Sequence, residues 1–192
     1  KPYPLARMTM KDLRKCAFRV LVYKNRLAVE FFHALTDGNG GLIFLKTLVA
    51  EYLSQKYGVK IPAELGVLDR LETPTEEELS DCFPKYAGRF TATRRESDSY
   101  RIMGEREENG FSHLTTLIMK SEELLLLAHK YGVTVTAVLA AALIKAGLEL
   151  QRGDVGRIKK RKPVKVLIPC DLRRVYGTKT LRNFALYATP GI

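Results

Sequence analysis

The run His33-Ala34-Leu35-Thr36-Asp37-Gly38-Asn39-Gly40-Gly41 carries the side chains best suited to chemistry. An imidazole titrates near neutrality, so a histidine held within hydrogen-bond reach of a hydroxyl or amine is the usual general base. Two plainer roles compete with that one. A histidine at the end of a strand is more often a hydrogen-bonded structural residue, and an aspartate before a helix is more often an N-cap worth about 1 kcal/mol. His33 and Asp37 are four residues apart, but the glycines at 38, 40 and 41 argue for a bend and against a continuous helix, so helical spacing does not place the two on one face.

Other candidates are weaker. Gly38-Asn39-Gly40-Gly41 before a helix offers free N–H groups to a phosphate, but the lysine and hydroxyl of a P-loop are missing. Read as a calcium loop, the same stretch has Leu48 where the bidentate glutamate belongs. Cys170 beside Asp171 invites a thiol nucleophile with His33 as base. A small apolar residue at the end of a buried strand is the simpler reading. His113 and His129 lack metal-ligand spacing, and His129 suits a helix C-terminus, so no metal site is expected.

The elements that must position these residues follow from pattern. Residues 16–23 and 27–32 are strand-like around Lys24-Asn25-Arg26, an antiparallel hairpin that ends at His33. Phe18, Val20 and Val22 share one face of the first strand, and Glu30 sits on a face whose cover the sequence leaves open. Residues 41–57 have helical apolar spacing, with Gly58 placed to stop the helix. Residues 59–110 read as a charged, proline-bearing connection with a short capping-box helix started by Thr75 and Glu78. Residues 114–119 are β-rich. Two helices follow, one begun at Ser121 and closed by Gly132, the other over residues 135–150 and apolar enough to be buried on several sides. Residues 151–162 form a basic loop, and strands are expected over 164–168 and 181–187.

His33-Ala34-Leu35-Thr36-Asp37-Gly38 resembles the H-x-x-x-D-G motif of the chloramphenicol acetyltransferase-like superfamily, which includes alcohol acetyltransferases and peptide-synthetase condensation domains. The motif stands after a hairpin and before an apolar helix, as in that family. Residues 133–142 resemble the helix that opens the family's second lobe. Ile168-Pro169-Cys170-Asp171-Leu172-Arg173-Arg174 and Thr180-Leu181-Arg182-Asn183-Phe184 resemble that lobe's first strands. The sequence departs from the family in having no D-F-G-W-G segment and no Trp, and Phe32 replaces the first histidine of the H-H-x-x-x-D-G variant.

The resemblance implies an α/β two-layer sandwich, incomplete here, with a mixed sheet and covering helices. Residues 1–110 would be the later part of the N-terminal acyltransferase lobe and residues 111–192 the first part of the C-terminal lobe, with the reaction tunnel between them. It also implies an acyltransferase that moves an acyl group, acetyl being the expected one, from a CoA-type thioester to an alcohol or amine. His33 would be the general base. Asp37 would support the loop through an arginine, for which Arg173, Arg174 and an arginine outside this chain are candidates, and Gly38 would let the backbone pass close to the reacting centre. No bound cofactor is implied; acyl-CoA, or the phosphopantetheine thioester of a carrier protein, is the co-substrate.

Composition bounds these expectations. The 192 residues are 46% hydrophobic, enough for a buried core in one domain or two small lobes. No apolar run is long enough to cross a bilayer, and Lys1-Pro2-Tyr3-Pro4 lacks the apolar core of a signal peptide. Three dispersed cysteines form no C-x-x-C pair, which fits a reducing cytoplasm. Neither end reads as a natural terminus, so a partial chain is expected. The net charge of +11 attracts anions, and the densest basic run, 152–162, makes nucleic-acid binding the runner-up function. That run has no interleaved aromatics and no recognition-fold signature, which places nucleic acid below a small-molecule acceptor. A non-catalytic fragment or interaction module is the third class.

Overall fold

The computed structural model describes residues 8–88, 98–102, 104–105, 108, 115–154 and 161–192. It is a mixed α/β structure with two small antiparallel sheets, and the chain divides into two units. The first comprises Lys1–Phe90 with Asp171–Leu186, the second Thr91–Cys170 with Tyr187–Ile192.

In the first unit, a capped turn of helix (α1, Met10–Leu13) leads into strands β1 (Phe18–Tyr23) and β2 (Arg26–Phe31). The two-residue turn between them needs a positive φ, which Lys24 supplies at +51°. Register sets Arg19 opposite Glu30 and Phe18 opposite Phe31. The cover for Glu30 is therefore the neighbouring strand, whose Arg19 Nε donates to its buried carboxylate. Phe18 and Phe31 meet Phe44 of the next helix edge to face, with centroids 5.1 and 5.5 Å away, which docks the hairpin on that helix.

That helix, α2 (Gly38–Tyr57), begins three residues before the expected start and absorbs the glycines read as a bend. The reason is its cap: the Asp37 carboxylate accepts from the N–H groups of Asn39 and Gly40, which offsets the low helix propensity of the glycines. Gly58 ends it in the left-handed region at φ +66°. Two short helices follow, α3 (Glu76–Leu79), with the expected Thr75–Glu78 capping box, and α4 (Phe83–Tyr86). Phe83 and Tyr86 pack on the fully buried Phe184, with centroids 5.1 and 5.8 Å away.

The second unit contains α5 (Ser121–Lys130) and α6 (Val135–Gly153, capped by Thr134). Residues 115–119 form no strand: Ile118 is 95% exposed and no described strand lies beside them. Helix α6 is buried less widely than its composition suggested, because only Ala140, Gly147 and Gln151 are covered while Leu139, Leu143 and Leu150 face outward. His129 lies in the last turn of α5, as expected, whereas His113 and most of the basic run 152–162 lie outside the described residues.

Strand β3 (Ile168–Asp171) pairs with β4 (Ala185–Ala188). They sit later than the two strands expected over 164–168 and 181–187, since 172–184 is held by turns and the short helix α7 (Arg173–Tyr176). Cys170 is exposed and not buried, its strand having a single neighbour among the described residues. Among the described residues no single helix is long and apolar enough to cross a membrane.

Candidate functional site

His33 stands two residues beyond β2, in a turn tied at both ends. The Phe32 N–H donates to the Ala17 carbonyl and the Leu35 N–H to the Phe32 carbonyl, each at 2.8 Å. The imidazole is exposed. Its one side-chain neighbour by hydrogen bonding is Asn183, whose amide nitrogen donates to the His33 carbonyl oxygen at 3.1 Å and lies 3.4 Å from Nδ1. Among the described residues nothing hydrogen-bonds Nε2, so that nitrogen remains available to a substrate.

Asp37 is buried, with all its hydrogen-bonding directions filled. Oδ1 accepts from the N–H groups of Asn39 at 3.1 Å and Gly40 at 3.2 Å. Oδ2 accepts from Arg173 Nη1 at 2.7 Å and from the Phe184 N–H at 2.8 Å. Of the two arginines expected from sequence, Arg173 is thus the partner, and Arg174 is exposed. Arg173 is itself buried and uses four of its five N–H donors: Nη1 also donates to Asp171 Oδ1 at 2.9 Å, Nε to the Thr180 carbonyl at 2.6 Å, and Nη2 to the Arg182 carbonyl. The guanidinium fork bolts the residue 37 loop to the 171–184 segment through four oxygen acceptors.

Burial on its own would raise the Asp37 carboxyl's pKa. The hydrogen bonds from Arg173, Phe184 and Gly40 outweigh it and hold the group below the usual aspartate range. Burial likewise opposes the charge on Arg173, and Asp37 and Asp171 more than restore it. The pair is therefore ionised and committed to structure, and no hydrogen bond links Asp37 to His33. This is not the carboxylate-imidazole arrangement of a catalytic triad.

The closest backbone approach in the loop falls at Gly40. A Cβ there would stand 2.2 Å from Thr36 Oγ1 and 2.5 Å from the Leu181 carbonyl oxygen, the same two atoms that are hydrogen-bonded to each other at 2.7 Å. A Cβ on Gly38 would meet nothing within 4 Å. Behind the loop lies an apolar cavity of about 470 Å³, walled by Phe18, Phe31, Phe44, Leu48, Leu68 and Leu79; His33 is not among its lining residues.

The structure thus brings His33, Asp37, Arg173 and Asn183 into one loop cluster and leaves the ring as its only chemically open group. The sequence gives no sign that Asn183 belongs to this cluster, although it stands within Thr180–Phe184. Nothing about a lone asparagine signals that it will meet a histidine 150 residues away. Among the described residues no group of three or more His, Cys, Asp or Glu is placed to hold a metal ion. Comparison of the chain with protein-family models, curated proteins and solved structures finds no match.

Proposed function

We propose that the first unit carries the base of an acyltransferase, in which His33 activates an alcohol or amine toward a CoA-type thioester. The observation that supports this reading most is an exposed imidazole whose Nε2 has no hydrogen-bond partner among the described residues, anchored on a turn that a buried Asp37–Arg173 pair makes rigid. A preorganised base is worth about 100-fold to 10,000-fold in rate, and rigid support is what preserves its geometry.

The step balances without an added co-reactant. With the ring proton on Nδ1, His33 Nε2 takes the acceptor's proton as the acceptor's oxygen or nitrogen forms a bond to the thioester carbonyl carbon. Collapse of the tetrahedral adduct breaks the carbon–sulfur bond, and the imidazolium returns the proton to the departing thiolate. Asp37 and Arg173 hold the loop and do not touch the reacting atoms. On this reading the chain is a piece of a two-layer α/β sandwich of the chloramphenicol acetyltransferase-like type, working in the cytoplasm, with acyl-CoA or a carrier-protein thioester as donor.

Incubation of the chain with acetyl-CoA and a panel of alcohols and amines, followed by mass spectrometry, tests the reading. Acetylated acceptor that forms with wild type and not with His33→Ala supports it. Equal product from both, or none from any acceptor, contradicts it.

A further inference from the structure

We infer that Asn183 decides which ring nitrogen of His33 carries the proton, and that it holds the free protein in the form with hydrogen on Nε2. The bond from the Asn183 amide nitrogen to the His33 carbonyl, 3.1 Å, fixes which way the amide faces, because a carbonyl oxygen accepts and never donates. Turned over, the amide would set Oδ1 against that carbonyl, acceptor against acceptor. It would also place its two N–H donors where Oδ1 now lies, a buried position with no hydrogen-bond partner among the described residues.

The group that faces Nδ1 at 3.4 Å is therefore a donor. An Nδ1–H would point at another N–H, whereas a bare Nδ1 offers its lone pair to it. A neutral imidazole has one N–H and one lone pair, so a lone pair kept at Nδ1 leaves the proton on Nε2.

The inference rests on the acyl-transfer reading only for its catalytic consequence. A ring protonated at Nε2 cannot take a proton there. It is a hydrogen-bond donor until a solvent proton joins Nδ1 and the Nε2 proton leaves to water, an exchange that conserves charge and needs no other reagent. Asn183 opposes that exchange, and so acts as a positioning residue that sets what share of His33 is in the form whose Nε2 can accept a proton.

Proton–nitrogen NMR of the full chain with labelled histidine reads the tautomer directly, at a pH where the ring is neutral; His33 is identified by the signals lost in His33→Gln. Wild type should show the proton on Nε2. Asn183→Ala, which removes the donor, should raise the share of the Nδ1–H form. Asn183→Asp, whose carboxylate accepts from Nδ1–H, should make that form the major one. A residue that merely anchored the His33 backbone would move neither. Wild type already protonated at Nδ1, or an unchanged ratio in the alanine variant, overturns the inference even if the aspartate variant does not fold. If the ratio moves as stated while wild type forms no acetylated product, the assignment of Asn183 stands and the acyl-transfer reading falls.

Discussion

The residue that most constrains this site is Arg173, because removal of one member of a buried ion pair strands the other. Arg173→Met should cost about 3 to 5 kcal/mol in chemical denaturation, since it leaves Asp37 charged and buried without a counterion. The pH dependence has a definite sign. The carboxyl of Asp37 is held below the usual aspartate value when folded, so the unfolded chain binds more protons in the interval between the two values. Its contribution is complete well above about pH 4, the ordinary aspartate value, and is lost as the pH falls through the folded one. Acid titration of stability should show this loss in wild type and a reduced one in Asp37→Asn. The two glycines should also part company. Gly40→Ala forces a Cβ into the Leu181 backbone at 2.5 Å and should destabilise by more than 1 kcal/mol, roughly the scale of overpacking, while Gly38→Ala meets open space and should be tolerated. From the sequence, an arginine partner for Asp37 was an expectation from the resemblance, with Arg173, Arg174 and an arginine outside this chain as candidates, and the contact falls on Arg173. The crowding at Gly40 was not, because it comes from Leu181, far along the chain.

At the level of elements, local sequence determines structure most directly where a single residue decides the outcome. The hairpin, the Gly58 stop, the Thr75 capping box and the Ser121 helix all follow from neighbours within a few positions. The expectation for residues 38–41 failed because glycine propensity was set against a cap, and the cap won: one carboxylate satisfies two of the N–H groups that a helix start leaves bare. The late strands were misplaced for a different reason. Residues 181–184, the first part of the strand expected over 181–187, are held out of the sheet by Arg173, which bonds to the Thr180 and Arg182 carbonyls. The same contrast of covered and open positions predicts the behaviour of α6. Leu143→Gln, at a position 60% exposed, should stay within about 0.5 kcal/mol of wild type, whereas Ala140→Leu, at a covered position, should destabilise by about 1 to 3 kcal/mol. Thermal melts of the two variants compare them directly.

For the molecule as a whole, the α/β class was legible from the alternation of patterns. Residues 171–186 belong with the first unit, an arrangement made by Arg173, Thr180 and Phe184 and invisible to any reading of linear order. The net charge of +11 has a consequence for the proposed reaction. A cationic surface raises the local concentration of a polyanionic donor such as CoA, and salt screens that attraction over a Debye length of about 10 Å at 0.1 M. The KM for acetyl-CoA should therefore rise with ionic strength, while a short uncharged thioester should show little change. The proposed chemistry depends above all on proton acceptance by the His33 ring. Its most direct test is the rate of thiol release from acetyl-CoA, in the presence of an accepting alcohol or amine, by wild type and by His33→Gln at matched folding. A fall of about 100-fold or more is expected; a variant that releases thiol as fast as wild type would contradict the account.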